Sequence, residues 1–159
     1  MSDLFHDRRD EDDYRGQHRP FHESSLEEGT TAGAHEMDKV FPEYYKHPRW
    51  YHNFSIPQDP EGNRAHLQTH LALTAVRGRP EAEMDMYRAV PHGVTRINQG
   101  DWVTPSEQYA RTHAMHSEDP ALDWPVLHAR VKAKHLLTGG DYAPEFGYAG
   151  PSVDAKIVE

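Results

Sequence analysis

The stretch Met84 to Trp102 reads MDMYRAVPHGVTRINQGDW, and its first seven residues decide how the chain folds. Taken as an extended strand, Met84 to Val90 puts Met84, Met86, Arg88 and Val90 on one face and Asp85, Tyr87 and Ala89 on the other. The strand is therefore half-buried, with a charge in the middle of its apolar side. A guanidinium cannot shed its proton to escape burial. Arg88 is expected to be paired, hydrogen-bonded, or turned into a cleft with an anionic occupant.

The rest of the second half supplies short elements to pack around this strand. Pro91, His92 and Gly93 end it, and a second short strand is expected over Asp101 to Val103. Thr104-Pro105-Ser106-Glu107 then fits a capping box, with Thr104 as N-cap, Pro105 at the first helical position and Glu107 reaching back. The helix so started runs through Tyr109 and Ala110 towards Met115. Val126 to Val131 (VLHARV) reads as a further strand, followed by KAKHLL, a Gly139-Gly140-Asp141 turn and a strand-like EFGY at Glu145 to Tyr148. The tail from Gly150 is expected to be loosely held.

Upstream, Asp59 to Arg64 reads as a turn and Ala65 to Arg77 as a helix, with Leu67, Leu71 and Ala75 as its apolar stripe, widened by Leu73 and Val76, and Gly78 and Pro80 as its stop. His66 and His70 share metal-ligand spacing, but among thirteen histidines such pairs arise by chance, and without cysteine, HExxH or a third ligand no metal site is expected. Val40 to Phe54 holds six aromatics in fifteen residues, read as a layer docking an irregular segment or as a wall for a planar ring.

The chain of 159 residues suits one domain. Hydrophobic residues make up 36% and mean hydropathy is -0.92, low for a chain packed throughout. Residues 1 to 28 carry nine acids against four Lys/Arg, a balance of -5 in a whole-chain charge of -9. An acidic N-terminal arm, residues 1–36, disordered or loosely docked, is accordingly expected ahead of a single domain at 37–159. The negative balance argues against a broad grip on a phosphate backbone. Absence of cysteine excludes disulfides, thiolate metal sites and a cysteine nucleophile. No leader or apolar run of about 20 residues is seen, so a soluble, cytoplasmic protein without a membrane partner is the expectation.

In order, the second half offers a strand with a central arginine, a strand leading into a Thr-capped helix, and a late strand opening with a glutamate. That order and the wording YRAVP, GDWVTPSEQYA and PEFGY resemble the ADP-ribosyltransferase superfamily, and within it the compact members encoded by phages and prophages. The likeness covers roughly residues 64–150, with a looser one upstream in YRGQHRP and FPEYYKHPRWY.

The resemblance implies an α+β fold in which two small, mainly antiparallel sheets with flanking helices form a cleft for NAD, bound as a substrate. It implies that Arg88 holds the dinucleotide, that Thr104, or Ser106 beside it, orients the nicotinamide ribose, and that Glu145 is the catalytic glutamate. His92, Asp101 and Trp102 are near enough in sequence to line the cleft, and Tyr148 and Tyr87 are expected as core or cleft-wall aromatics. The implied activity is cleavage of the nicotinamide–ribose bond and transfer of ADP-ribose to a protein or nucleic-acid acceptor, in the host cytoplasm if a phage encodes the chain. Two departures bear on this. VTPS stands where many members carry Ser-Thr-Ser, and Ala143 stands where arginine-modifying members carry an acid or amide, which disfavours arginine as acceptor. An NAD glycohydrolase on the same fold and a non-catalytic binding or virion-associated protein remain alternatives. Arg88 is also compatible with a structural salt bridge, and Glu145 with a solvated turn residue.

Overall fold

The computed structural model describes residues 31–46, 60–115, 118–139 and 143–158. Residues 1–30 of the expected arm and 47–54 of the aromatic stretch lie outside them. Among the described residues the fold is a small α+β arrangement: β1 (Ala32–Gly33), a 3-10 turn at Met37–Lys39, α1 (Pro60–Ala75), β2 (Glu83–Ala89), β3 (Arg96–Ile97), β4 (Trp102–Val103), α2 (Glu107–Ala114), β5 (Val126–Lys132), β6 (Leu136–Thr138), β7 (Phe146–Tyr148), β8 (Val153–Asp154) and β9 (Lys156–Ile157). Every strand pairing is antiparallel, in sheets ordered β1-β6-β7-β4, β2-β5-β9 and β3-β8. No helix among these residues is long and apolar enough to cross a membrane.

β2 follows its period of two. Met84, Met86, Arg88 and Val90 are all buried, while Glu83 is exposed and Asp85 and Tyr87 are intermediate. β2 pairs with β5 over seven residues, with Met86 opposite Ala129 and Arg88 opposite Leu127. Its methionines join the main core with Leu73, Leu127, Leu136, Phe146 and Tyr148. The second face is covered as well. Ala110 and Ala114 of α2 pack with Ala89 and Val126 in a separate small cluster, flanked by Tyr87 and Trp124. Alanines at the contact let the helix lie close to the sheet.

Several expectations are corrected. α1 begins at Pro60, five residues before the expected Ala65, with proline at the first position where its missing N–H costs nothing. Its inward residues are Ala65, His66, Thr69 and Leu73, whereas Leu67 and Leu71 are 36% and 60% exposed. α2 begins two residues late. Thr104 is not its cap, because the Thr104 N–H that a capping box would use donates to Tyr87 O (3.0 Å). Ser106 caps instead: its Oγ accepts from Tyr109 N (3.0 Å) and donates to Gln68 Oε1 of α1 (2.7 Å), which also accepts from Gln108 N (3.0 Å). Ser106→Ala removes both bonds of that hydroxyl and is expected to lower stability by about 1–2 kcal/mol, read as a lower urea midpoint at unchanged slope.

Residues 31–36 belong to the domain rather than to an arm. Thr31 to Ala34 are buried, and Ala32 and Gly33 pair with Thr138 and Leu137. A Cβ at Gly33 would come within 2.8 Å of the His35 ring, which would have to move to admit it. The tail is not loose either: β8 pairs with β3 and β9 with β5, and Val158 N donates to Val126 O (2.8 Å). Of the aromatic stretch, Tyr44 is buried in the core against Tyr45 and His70, in keeping with a docking layer.

Candidate functional site

Two pairings bring the site together. β4 and β7 run antiparallel with Val103 opposite Phe146, so continuing the register by one residue sets Thr104 beside Glu145. Thr104 also bridges to Tyr87 through a bond in each direction, Tyr87 N to Thr104 O (2.8 Å) and Thr104 N to Tyr87 O. That bridge joins the edge of the β2 sheet to the end of β4, with Arg88 next in the chain. Residues 57 apart in sequence thus meet at one place.

The place is a small cleft, with about 30 Å³ open to the centre of a water molecule, room for roughly one or two waters as it stands. Its walls are Tyr87, Arg88 and Ala89 of β2, Trp102 to Thr104 around β4, Tyr109, Ala110 and His113 of α2, and Glu145 ahead of β7.

Arg88 is 5% exposed. Its Nη1 donates to Trp102 O at 2.8 Å, a full hydrogen bond, and its Nε lies 3.8 Å from Asp101 Oδ2, a long ion pair between two buried side chains. Asp101 Oδ2 in turn accepts from Asn98 N (2.8 Å). Burial pushes the guanidinium down to about 10, which leaves it charged at neutral pH. Arg88 is therefore both hydrogen-bonded and paired, tying the turn at residues 98–102 to β2, and it stands in the cleft wall.

Thr104 is 3% exposed, and its Oγ1 accepts from Ser106 N (3.1 Å). Glu145 is partly buried, and its Oε2 accepts the phenolic O–H of Tyr109. One helical turn on, the His113 ring lies 4.3 Å from that of Tyr109, with Nδ1 3.1 Å from Tyr109 O. Burial lowers the His113 pKa against the opposing pull of the Glu145 charge, favouring neutral imidazole. The residues of the wall thus carry a carboxylate, a hydroxyl and aromatic rings, and include Arg88, whose guanidinium is turned to Trp102 O and Asp101 on the inward face of β2. Such a set can place negative charge against a developing cation.

Of the residues singled out in sequence, Arg88, Trp102, Thr104 and Glu145 line the cleft, and so does Tyr87. Ser106 is a buried helix cap and does not. His92 is exposed in the turn after β2, away from the cleft wall. Tyr148 is 2% exposed in the core, its O–H donating to Pro151 O (2.6 Å) with its ring edge-on to His135. Asp101 acts through Arg88. Tyr109 and His113 had no assigned role in sequence, and their four-residue spacing on the helix after VTPS is the signal that would have found them. Among the described residues no group of three His, Asp or Glu is placed to hold a metal ion. Compared with protein-family models, curated proteins and solved structures, the chain gives no match.

Proposed function

We propose that this cleft takes the nicotinamide riboside end of NAD and that the chain is an ADP-ribosyltransferase. The observation that carries the reading is the meeting of Arg88, Thr104 and Glu145, picked out by motif alone, in the wall of one cleft. The two antiparallel sheets joined at the Tyr87–Thr104 bridge are of the kind that the family resemblance implies for an NAD cleft.

The chemistry follows from the groups present. The bond between ribose C1′ and the nicotinamide ring nitrogen breaks, its electron pair leaving with neutral nicotinamide. The ribose acquires oxocarbenium character, and the Glu145 carboxylate stabilises that charge. An acceptor lone pair then bonds to C1′, and the acceptor's proton passes to solvent. Nicotinamide is a good leaving group, so no second carboxylic acid is needed to protonate it. Arg88 is the residue that the family resemblance implies for holding the dinucleotide's phosphate or ribose oxygens, and Thr104 orients the ribose. Ala143 is 7% exposed and offers no polar side chain to steer an arginine. A protein side chain other than arginine, or a nucleic-acid base, is the acceptor.

The test is incubation with NAD labelled on its adenylate half, alone and with a cell extract, followed by assay of nicotinamide and of label on macromolecules. Release with label on protein or nucleic acid is expected. Release with all label as free ADP-ribose would make the chain an NAD glycohydrolase, and no release would remove the catalytic reading.

A further inference from the structure

Glu145 follows Pro144 at the entry to β7, and its carboxylate ends a flexible stem at the partly open wall of the cleft. A charge placed to stabilise an oxocarbenium must face the sugar ring, and freedom about that stem would spread it over several orientations. The phenolic O–H of Tyr109, which donates to Oε2, restrains it.

Tyr109 is in turn held rigidly. Its backbone N–H is bonded to Ser106 Oγ, the Ser106 hydroxyl is anchored on Gln68 Oε1, and that same oxygen accepts from Gln108 N. A single glutamine of α1 thus clamps the first turn of α2, and that turn presents the phenol. The ring rests 4.3 Å from the ring of His113. The donor is preorganised by these bonds, whereas the acceptor is a side chain with rotatable bonds of its own.

We infer that Tyr109 is a positioning residue for the catalytic carboxylate, its O–H fixing Glu145 in the orientation that faces the nicotinamide ribose. The inference rests on the ADP-ribosyltransferase reading, and it assigns to α2 a part in the reaction that none of the sequence motifs pointed to. Tyr109 acts through Glu145 and makes no contact with the reacting atoms.

Tyr109→Phe tests it, because the ring and its packing stay while only the O–H is lost. Nicotinamide release by the full chain is measured for wild type, Tyr109→Phe, Glu145→Gln and the double variant, with thermal unfolding of each. For Tyr109→Phe, kcat is expected to fall about 10- to 100-fold with the Michaelis constant for NAD within about twofold of wild type. In the Glu145→Gln background the same change is expected to cost nothing further, since a residue that acts through the carboxylate has nothing left to position. A purely structural role would not produce that dependence. Wild-type kcat in Tyr109→Phe, a loss expressed in the Michaelis constant, or losses that multiply in the double variant would each overturn the inference while leaving the functional reading standing. No release from wild type would overturn that reading and this inference with it.

Discussion

Glu145→Gln is expected to slow nicotinamide release by about 100-fold or more, with the Michaelis constant for NAD close to the wild-type value. The amide keeps the size of the side chain and an oxygen that accepts from Tyr109, so the walls of the cleft stay as they are. What is removed is the negative charge. The carboxylate sits beside the ribose, so it gains most as positive charge moves from the nicotinamide ring onto that ribose, and the effect belongs in kcat. Glu145 is partly exposed and lies outside the core cluster, and thermal unfolding of the variant should therefore match wild type closely. Unchanged turnover would remove Glu145 from the reaction and return it to the status of a turn residue ahead of β7.

The second large effect is on stability. Arg88→Met replaces the guanidinium with an apolar side chain of similar length, taking the donor from Trp102 O and the cation from beside Asp101, whose side chain is 4% exposed. Removing one member of a buried pair leaves the desolvation cost of the other uncompensated, and a loss of about 3–5 kcal/mol is expected. That is a large share of the 5–15 kcal/mol typical of a domain. Adding Asp101→Asn should recover part of it. Arg88→Lys should fall between, because an ammonium keeps the charge without the planar fork that reaches carbonyl and carboxylate together. Chemical denaturation measures all four proteins. A loss below about 1 kcal/mol for Arg88→Met would show that the contacts at 2.8 and 3.8 Å contribute little.

β2 was legible because its signal is local: four inward residues alternate with outward ones, and the one charge among them was the clue to the cleft. The inward face of α1 was legible only in part. Leu73 and Val76, at the margin of the expected stripe, are buried in the core, yet Leu67 and Leu71 are turned outward and the packing selects Thr69 instead, on a helix whose polarity differs little around its circumference. The cap of α2 was misread for a non-local reason. VTPSE satisfies a capping box on paper, but Thr104 spends its N–H on Tyr87, and the cap passes to Ser106. β1, β8 and β9 are two residues each and carry no periodicity to read; they exist because β6, β3 and β5 offer edges. The site follows the same division. Arg88 and Glu145 came from motif, while the contribution of Tyr109 depends on a tertiary contact across 36 residues.

The most direct test of NAD binding in this cleft is an NAD titration followed by amide chemical shifts, which a chain of 18.3 kDa permits. With the Glu145→Gln variant, so that the dinucleotide survives, shifts are expected to gather at residues 87–89, 102–104, 109–113 and 145 and to saturate together. Shifts centred elsewhere, or none at millimolar NAD, would contradict the assignment of this cleft to the dinucleotide.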